Sequence, residues 1–212
     1  MKLYFLRHGQ AENNVTRIYA GEQVLSIGLT ALGFKEVEKA AESLSQCGIT
    51  SIISSDFLRA VQSTEVVNNK LKLPAENIKY DSRLREIEMG VLAGTRHDST
   101  PDDFRDNPHK YGAESYEDMY NRVCGFINEI EATENDGNVL ISGHGITNDI
   151  LAYCVCEGTD KPFDEEEFLR AYRKSIANAT VSMIDMDFKK QFRKPQFIHG
   201  GEQKDEILDG KL

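Results

Sequence analysis

KLYFLRHGQ, residues 2–10, begins as a strand and ends in polar chemistry. Leu3, Tyr4, Phe5 and Leu6 form a short apolar run of high strand propensity, and Arg7, His8 and Gly9 follow at once. NVLISGHG, residues 138–145, repeats the pattern, with His144-Gly145 directly after the apolar stretch. Further strand-like runs lie at 49–54 and 180–186. Between these runs the apolar period becomes helical. Residues 30–46 carry Phe34, Val37, Ala41 and Leu44 at helical spacing, with Gly48 as a stop. Residues 56–69 read as a helix opened by Ser54-Ser55-Asp56. Residues 116–132 place Tyr116, Met119, Val123, Phe126, Ile127 and Ile130 on one face, behind an N-cap suited to Ser115 and Asp118. Residues 146–156 and 165–174 are further helical segments, the second opened by an acidic run favourable to its dipole. Strands alternating with helices predict an α/β fold around a mainly parallel sheet. Residues 95–113, polar and holding Pro101 and Pro108, read as an excursion over the sheet edge, and 198–212 as a polar, poorly ordered tail.

The chain has 212 residues, enough for one domain with a sizeable core and no disulfide or structural metal. Its formal net charge of −10 disfavours a nucleic-acid or anionic-membrane surface, so an anion site here must be local. No apolar run reaches the roughly 18–20 residues of a membrane span, and the apolar start is too short for a signal peptide. Cys47, Cys124, Cys154 and Cys156 are scattered, with no CxxC motif, and are expected to be reduced thiols in a cytoplasmic protein. Oligomeric state has no signature in the sequence.

Ligands of open α/β sheets sit outside the carboxyl ends of the strands. Four places put chemistry there: Arg7-His8-Gly9, Arg59 after SIISS, Glu86 in SRLREIEMG, and His144-Gly145. A crevice with two arginines, two imidazoles and a carboxylate suits a phosphate. Guanidinium forks match its oxygens, the glycines (Gly9 and Gly145) let backbone approach, and the helices after Ser55 and His144 are expected to point N–H groups at it. A neutral imidazole can attack phosphorus, and a carboxyl group can protonate the leaving oxygen. Glu88 and Arg85 crowd the same turn as Glu86. The two histidines with Glu86 would also make a His₂Glu zinc set, which the adjacent arginines oppose electrostatically. His97, His109 and His199 lie in polar segments and are expected at the surface.

LRHGQAENN, SSDFLRAVQSTE, LREIEMGVLAG and VLISGHGITND, in this order and spacing, resemble the histidine phosphatase superfamily, the branch that includes cofactor-dependent phosphoglycerate mutases. The resemblance spans residues 1–185. It implies a three-layer α/β/α sandwich with a small cap near 95–113. It also implies His8 as phosphorylated nucleophile, Arg7, Arg59 and His144 on the phosphoryl group, and Glu86 as proton donor. Asn14 would meet the substrate phosphate, and Gly21 and Gly145 would line the pocket. Ala11, Leu92 and Ala113 depart from the residues usual in such proteins, without removing a catalytic group. The implied activity is metal-independent, cofactor-free hydrolysis of a small phosphorylated metabolite. A mutase, or a binding module that retains the pocket, is the alternative; the module would have no use for Glu86. The 95–113 segment is short and has no Arg-Arg pair, and Met89 stands where the mutases place a tyrosine, which favours the hydrolase.

Overall fold

Successive side chains of β1 (Lys2–Arg7) enter two different cores. Leu3 and Phe5 join one cluster, Tyr4 and Leu6 another, and all four are buried. A strand covered on both faces belongs in the middle of a layered structure. β4 (Asn138–Gly143) divides likewise, Val139 and Ile141 to the first core and Leu140 to the second.

The computed structural model describes residues 1–21, 26–133, 137–173, 176–186 and 195–200. The other strands are β2 (Ile49–Ser54), β3 (Ile78–Tyr80), β5 (Val181–Asp185) and β6 (Gln196–His199). They form a six-stranded sheet in the order β3-β2-β4-β1-β5-β6. The β3-β2-β4-β1 part is parallel; β5 adds antiparallel to β1, and β6 antiparallel to β5. α2 (Ala31–Leu44) and α3 (Leu58–Leu71) cover one face through Val37, Ala41, Leu44 and Val67. α4 (Tyr116–Ala132), α5 (Gly145–Glu157) and α6 (Glu165–Ala171) cover the other through Ile127, Ile150, Leu151 and Phe168. The result is the three-layer α/β/α sandwich. Among the described residues no helix is long and apolar enough to cross a membrane.

The α4 boundaries match the apolar face read from the sequence, because Ser115 and Asp118 cap it reciprocally. Asp118 N–H donates to Ser115 Oγ at 3.1 Å and Ser115 N–H to Asp118 Oδ2 at 2.8 Å. α6 ends at Ala171, short of the expected 174. Three elements had no periodic signal. α1 (Glu12–Thr16) is a five-residue polar turn closed by Arg17 at φ 55°, β3 is a three-residue edge strand, and β6 occupies the start of the expected tail. Residues 201–212 of that tail lie outside the described residues. A third cluster, Met89, Leu92, Phe104 and Ala113, closes on Tyr19. It therefore buries three of the positions that depart from the family pattern or its mutases, and ties the 87–113 segment to the loop after α1.

Candidate active site

Arg7 on β1 lies opposite Gly143 on β4, so His8 and His144 leave the sheet as neighbours. Their rings meet edge to face with centroids 5.2 Å apart. β2 ends beside β4, with Ser54 opposite Ser142. The first turn of α3 then brings Arg59 under the first histidine, its Nε donating to His8 Nε2 at 3.2 Å. His8, Arg59 and His144 are at most 3% exposed.

The hydrogen-bond network assigns the His8 tautomer. His8 Nδ1 is 2.7 Å from the Gly9 carbonyl, which can only accept, so the hydrogen sits on Nδ1 and Nε2 keeps its lone pair. Burial, then Arg59 and Arg7, hold the His8 pKa well below the ordinary imidazole value, and the ring is neutral. For His144, Ser55 Oγ lies 2.9 Å from Nε2 and also accepts from Phe57 N–H at 3.3 Å. Burial, then Arg59 and His8, push the His144 pKa down as well. Burial lowers Arg59 to about 10, opposed by Glu86, so the guanidinium stays charged at neutral pH. Arg59 Nη1 and His144 Nδ1 are buried with no hydrogen-bond partner among the described residues. An unmet buried polar atom costs about 1–3 kcal/mol, and an anion in the site would satisfy the Arg59 donor.

A cleft of about 410 Å³ opens above this floor, lined by Arg7, His8, Asn14, Arg59, Glu86 and Gly145 among others. His144 lies behind the lining rather than in it. Arg7 is turned by donating to the Ile176 carbonyl. Asn14 Oδ1 accepts from Ala11 N–H at 2.9 Å and Asn178 Nδ2 at 3.2 Å, which presents its own amide N–H₂ as the group for a ligand oxygen. A Cβ at Gly145 would stand 3.7 Å from both Arg7 Nε and Glu86 Oε2, between the cation and the carboxylate.

Of the charged residues crowding one turn, Glu86 alone lines the cleft. Glu88 Oε1 accepts from Gly90 N–H at 3.0 Å, and Arg85 pairs with Asp56 at 2.7 Å. Two expectations change here. The first N–H groups of α5 do not wait for a phosphate: Ile146 N–H donates to Glu86 Oε2 at 3.2 Å and Thr147 N–H to Oε1 at 3.1 Å. The helix end therefore orients the carboxylate instead. Gly21 does not line the cleft either. It backs onto Glu88 and Ala93, each 2.7 Å from where its Cβ would be, and Ala20 takes the lining position.

Sequence reading missed Ser55, Asn178 and Arg173. Asn178 Nδ2 also donates to the His8 carbonyl at 3.3 Å. Arg173 lines the cleft from the segment after α6, where no motif marks it. His97 is exposed as expected, yet it lines the cleft and stacks on Tyr19 at 4.3 Å. His109 pairs with Asp118 at 2.6 Å and His199 meets Ser43 at 3.4 Å. Among the described residues no three His, Cys, Asp or Glu side chains gather at metal-binding distance. All four cysteines are free thiols.

A layered α/β protein with paired strand-end histidines, two arginines and a helix-held carboxylate defines a class built around an imidazole at the end of its first strand. Over residues 3–192 the chain matches the model of the histidine phosphatase superfamily, branch 1, and it belongs to that family. It is 32% identical over 196 residues to a Proteus mirabilis protein named "Probable phosphoglycerate mutase GpmB", covering 87% of this chain and 85% of that one. It is 29% identical over 204 residues to "Phosphoserine phosphatase 1" of Hydrogenobacter thermophilus, covering 90% and 89%. The fold superposes on a mycobacterial glucosyl-3-phosphoglycerate phosphatase complexed with VO3 at TM-score 0.72 and 24% identity, over 87% of this chain and 92% of that one. The family's enzymes named here are thus phosphatases and a mutase.

Proposed function

We propose that the chain is a metal-independent phosphatase that hydrolyses a small phosphomonoester through a phosphohistidine on His8. The observation that carries this reading is the His8 tautomer. Hydrogen on Nδ1 leaves a neutral, nucleophilic Nε2 on the cleft floor, 3.2 Å from Arg59 Nε. The Nε2 lone pair attacks phosphorus and the bond to the ester oxygen breaks in line with it. Arg7, Arg59 and His144 Nδ1–H stabilise the equatorial oxygens. Glu86 gives its proton to the leaving oxygen, then takes one from the water that cleaves the P–N bond, which restores both groups. Two guanidiniums supply the charge that a dication would bring, and would repel one.

Incubation with ³²P-labelled substrate, quenched in base, should leave an acid-labile label on the wild type and none on His8→Ala. A label stable to acid, or full turnover by His8→Ala, overturns the mechanism. The Proteus relative's name supports a second reading, a mutase with the same residues. Against it stand Lys110, 2.7 Å from Asp103, and Arg96, 3.1 Å from Asp98, since cations paired within their own segment do not serve a second phosphate.

A further inference from the structure

Residues 86–89, which begin with the proton donor of the proposed reaction, are neither helix nor strand. A carboxylate on such a segment is placed only as well as its backbone is held. On one side the hold comes from α5: Ile146 and Thr147 N–H donate to the two Glu86 oxygens, and Thr147 Oγ1 donates to the Arg85 carbonyl at 2.9 Å. On the other side it comes from one side chain, Arg122, in the second turn of α4. Arg122 Nη1 donates to the Arg83 carbonyl at 2.5 Å, and Nη2 to the carbonyls of Arg85 at 2.9 Å and Glu86 at 3.4 Å. Its Nε and Nη2 also meet Glu114 Oε1 and Oε2 at 2.8 and 3.0 Å. Glu114 in turn accepts from Glu88 N–H at 3.0 Å, and its own N–H donates to the Glu88 carbonyl at 2.9 Å. Arg122 and Glu114 together hold the backbone at 83, 85, 86 and 88, before and after the carboxylate.

Holding a loop in this way is expensive. Arg122 and Glu114 are only 19% and 24% exposed, and taking such a pair out of water costs desolvation of both charges. Arg83 and Arg85, in the same stretch, pair with the acids Asp81, Glu129 and Asp56. Arg122 adds three main-chain carbonyls to its acid. A planar fork with five fixed donors can hold several oxygens in one geometry, which the three donors of a lysine ammonium cannot match. What the fork fixes is the reach of Glu86. A proton donor works within about 2.6–3.2 Å of the oxygen it serves, and a misplacement of about 1 Å can cost on the order of a hundredfold in rate. Arg122 stands outside the cleft lining, so it acts through Glu86 and not on the substrate.

We propose that Arg122 is a positioning residue for the proton transfer, its fork on the Arg83, Arg85 and Glu86 carbonyls holding the Glu86 carboxyl group at the leaving oxygen. The proposal rests on the phosphatase reading, in which Glu86 is the proton donor, and adds the residue that places it.

The test separates help to the leaving group from support of the fold. Turnover is measured on glycerol 3-phosphate, whose alkoxide is basic, and on 4-nitrophenyl phosphate, whose phenolate leaves with little need of a proton. Arg122→Gln should lower kcat by about tenfold to a hundredfold on the first ester and by about threefold or less on the second. Inhibition by vanadate should hold, since Arg7, His8 and Arg59 are untouched. Added to Glu86→Gln, Arg122→Gln should cost no more than about twofold further on glycerol 3-phosphate, because a residue that acts through Glu86 then has nothing to place. Equal losses on the two esters, lost vanadate inhibition, or a full further loss in the double variant would make Arg122 a support of the fold, and the proposal falls. Arg122→Lys, which keeps a cation beside Glu114 and loses the fork, should show the same uneven pattern to a smaller degree. It carries the test alone if Arg122→Gln does not fold, and its full activity on both esters would also overturn the proposal. Failure of the underlying reading looks different. Equal losses for Glu86→Gln itself would remove the proton donor, whereas uneven losses for Glu86→Gln beside equal ones for Arg122→Gln sink this inference and leave the phosphatase standing.

Discussion

Ser55 Oγ lies 2.9 Å from His144 Nε2 and also accepts from Phe57 N–H. In the proposed mechanism the hydroxyl donates to Nε2 and so holds the His144 hydrogen on Nδ1, toward the phosphoryl group. Without the hydroxyl, either tautomer of His144 is allowed. Ser55→Ala should therefore lower kcat/KM by about tenfold to a hundredfold, as losses of supporting hydrogen bonds commonly do, while the fold persists. Glu86→Gln should fall further, and unevenly. General acid help matters most for a basic alkoxide, so an alkyl phosphate should lose far more rate than a nitrophenyl phosphate. Equal losses would assign Glu86 to binding. His8 makes a prediction about stability. Its native pKa is held well below the ordinary value near 6.5 by burial, then Arg59 and Arg7. The unfolded chain therefore takes up the proton first as pH falls. Stability should decline from about pH 6.5 downward until the native imidazole itself titrates. Melting temperatures between pH 8 and 5 should drop more steeply for wild type than for His8→Asn. Parallel curves would show that the native ring protonates freely.

At the scale of elements, α2 holds the loop that carries His8. A Cβ on Gly33, in the first turn of α2, would lie 2.0 Å from the Gln10 carbonyl oxygen, and one on Gly9 would lie 2.3 Å from the Gly33 carbonyl oxygen. The helix backbone is pressed directly against the strand end. Alanine is normally better than glycine inside a helix by about 1 kcal/mol, but overpacking against backbone costs about 1–3 kcal/mol. The clash wins at Gly33. Gly33→Ala should lower the melting temperature and, by displacing Gly9 and His8, also kcat. Gly125→Ala on the exposed side of α4, where nothing lies within 4 Å of the new Cβ, should hold or raise the melting temperature with unchanged kcat. The contrast also shows what a sequence discloses. The His-Gly pairs at 8–9 and 144–145 were legible because each follows an apolar run with a strong strand signal, and neighbouring parallel strands bring such ends together. α4 was legible from its apolar face and its cap. β3 and β6 are short, half-covered edges, whose pairing partners rather than their residues make them strands. Arg173 and Asn178 reach the cleft through tertiary contacts with Asp149 and Asn14, and no local pattern encodes those. The helix N-terminus at Ile146 was expected on a phosphate and was found on Glu86, since sequence does not rank two anions competing for one set of donors.

For the molecule as a whole, the open question is whether water or a second hydroxyl takes the phosphoryl group. A mutase must keep a bisphosphorylated intermediate and exclude water, which requires further cations over the site. Of the lysines and arginines in the 87–113 segment, Arg105 alone lines the cleft. Lys110 and Arg96 are 61% and 62% exposed and bound to Asp103 and Asp98, and Arg105 is beside Glu165. Met89, Leu92, Phe104 and Ala113 form a small core with Tyr19, and Tyr19, Met89 and Phe104 also line the cleft. At about 410 Å³ that cleft is wide for a three-carbon ester, so water should reach the P–N bond. Supplied with 3-phosphoglycerate and a trace of 2,3-bisphosphoglycerate, the protein should release inorganic phosphate faster than it forms 2-phosphoglycerate, and chelators should leave the rate unchanged. Interconversion outpacing phosphate release would make the chain a mutase with the same catalytic set. In that case the remaining arginines of the cleft, Arg17, Arg105 and Arg173, would have to hold the second phosphate, and Arg173→Gln would convert the enzyme toward hydrolysis.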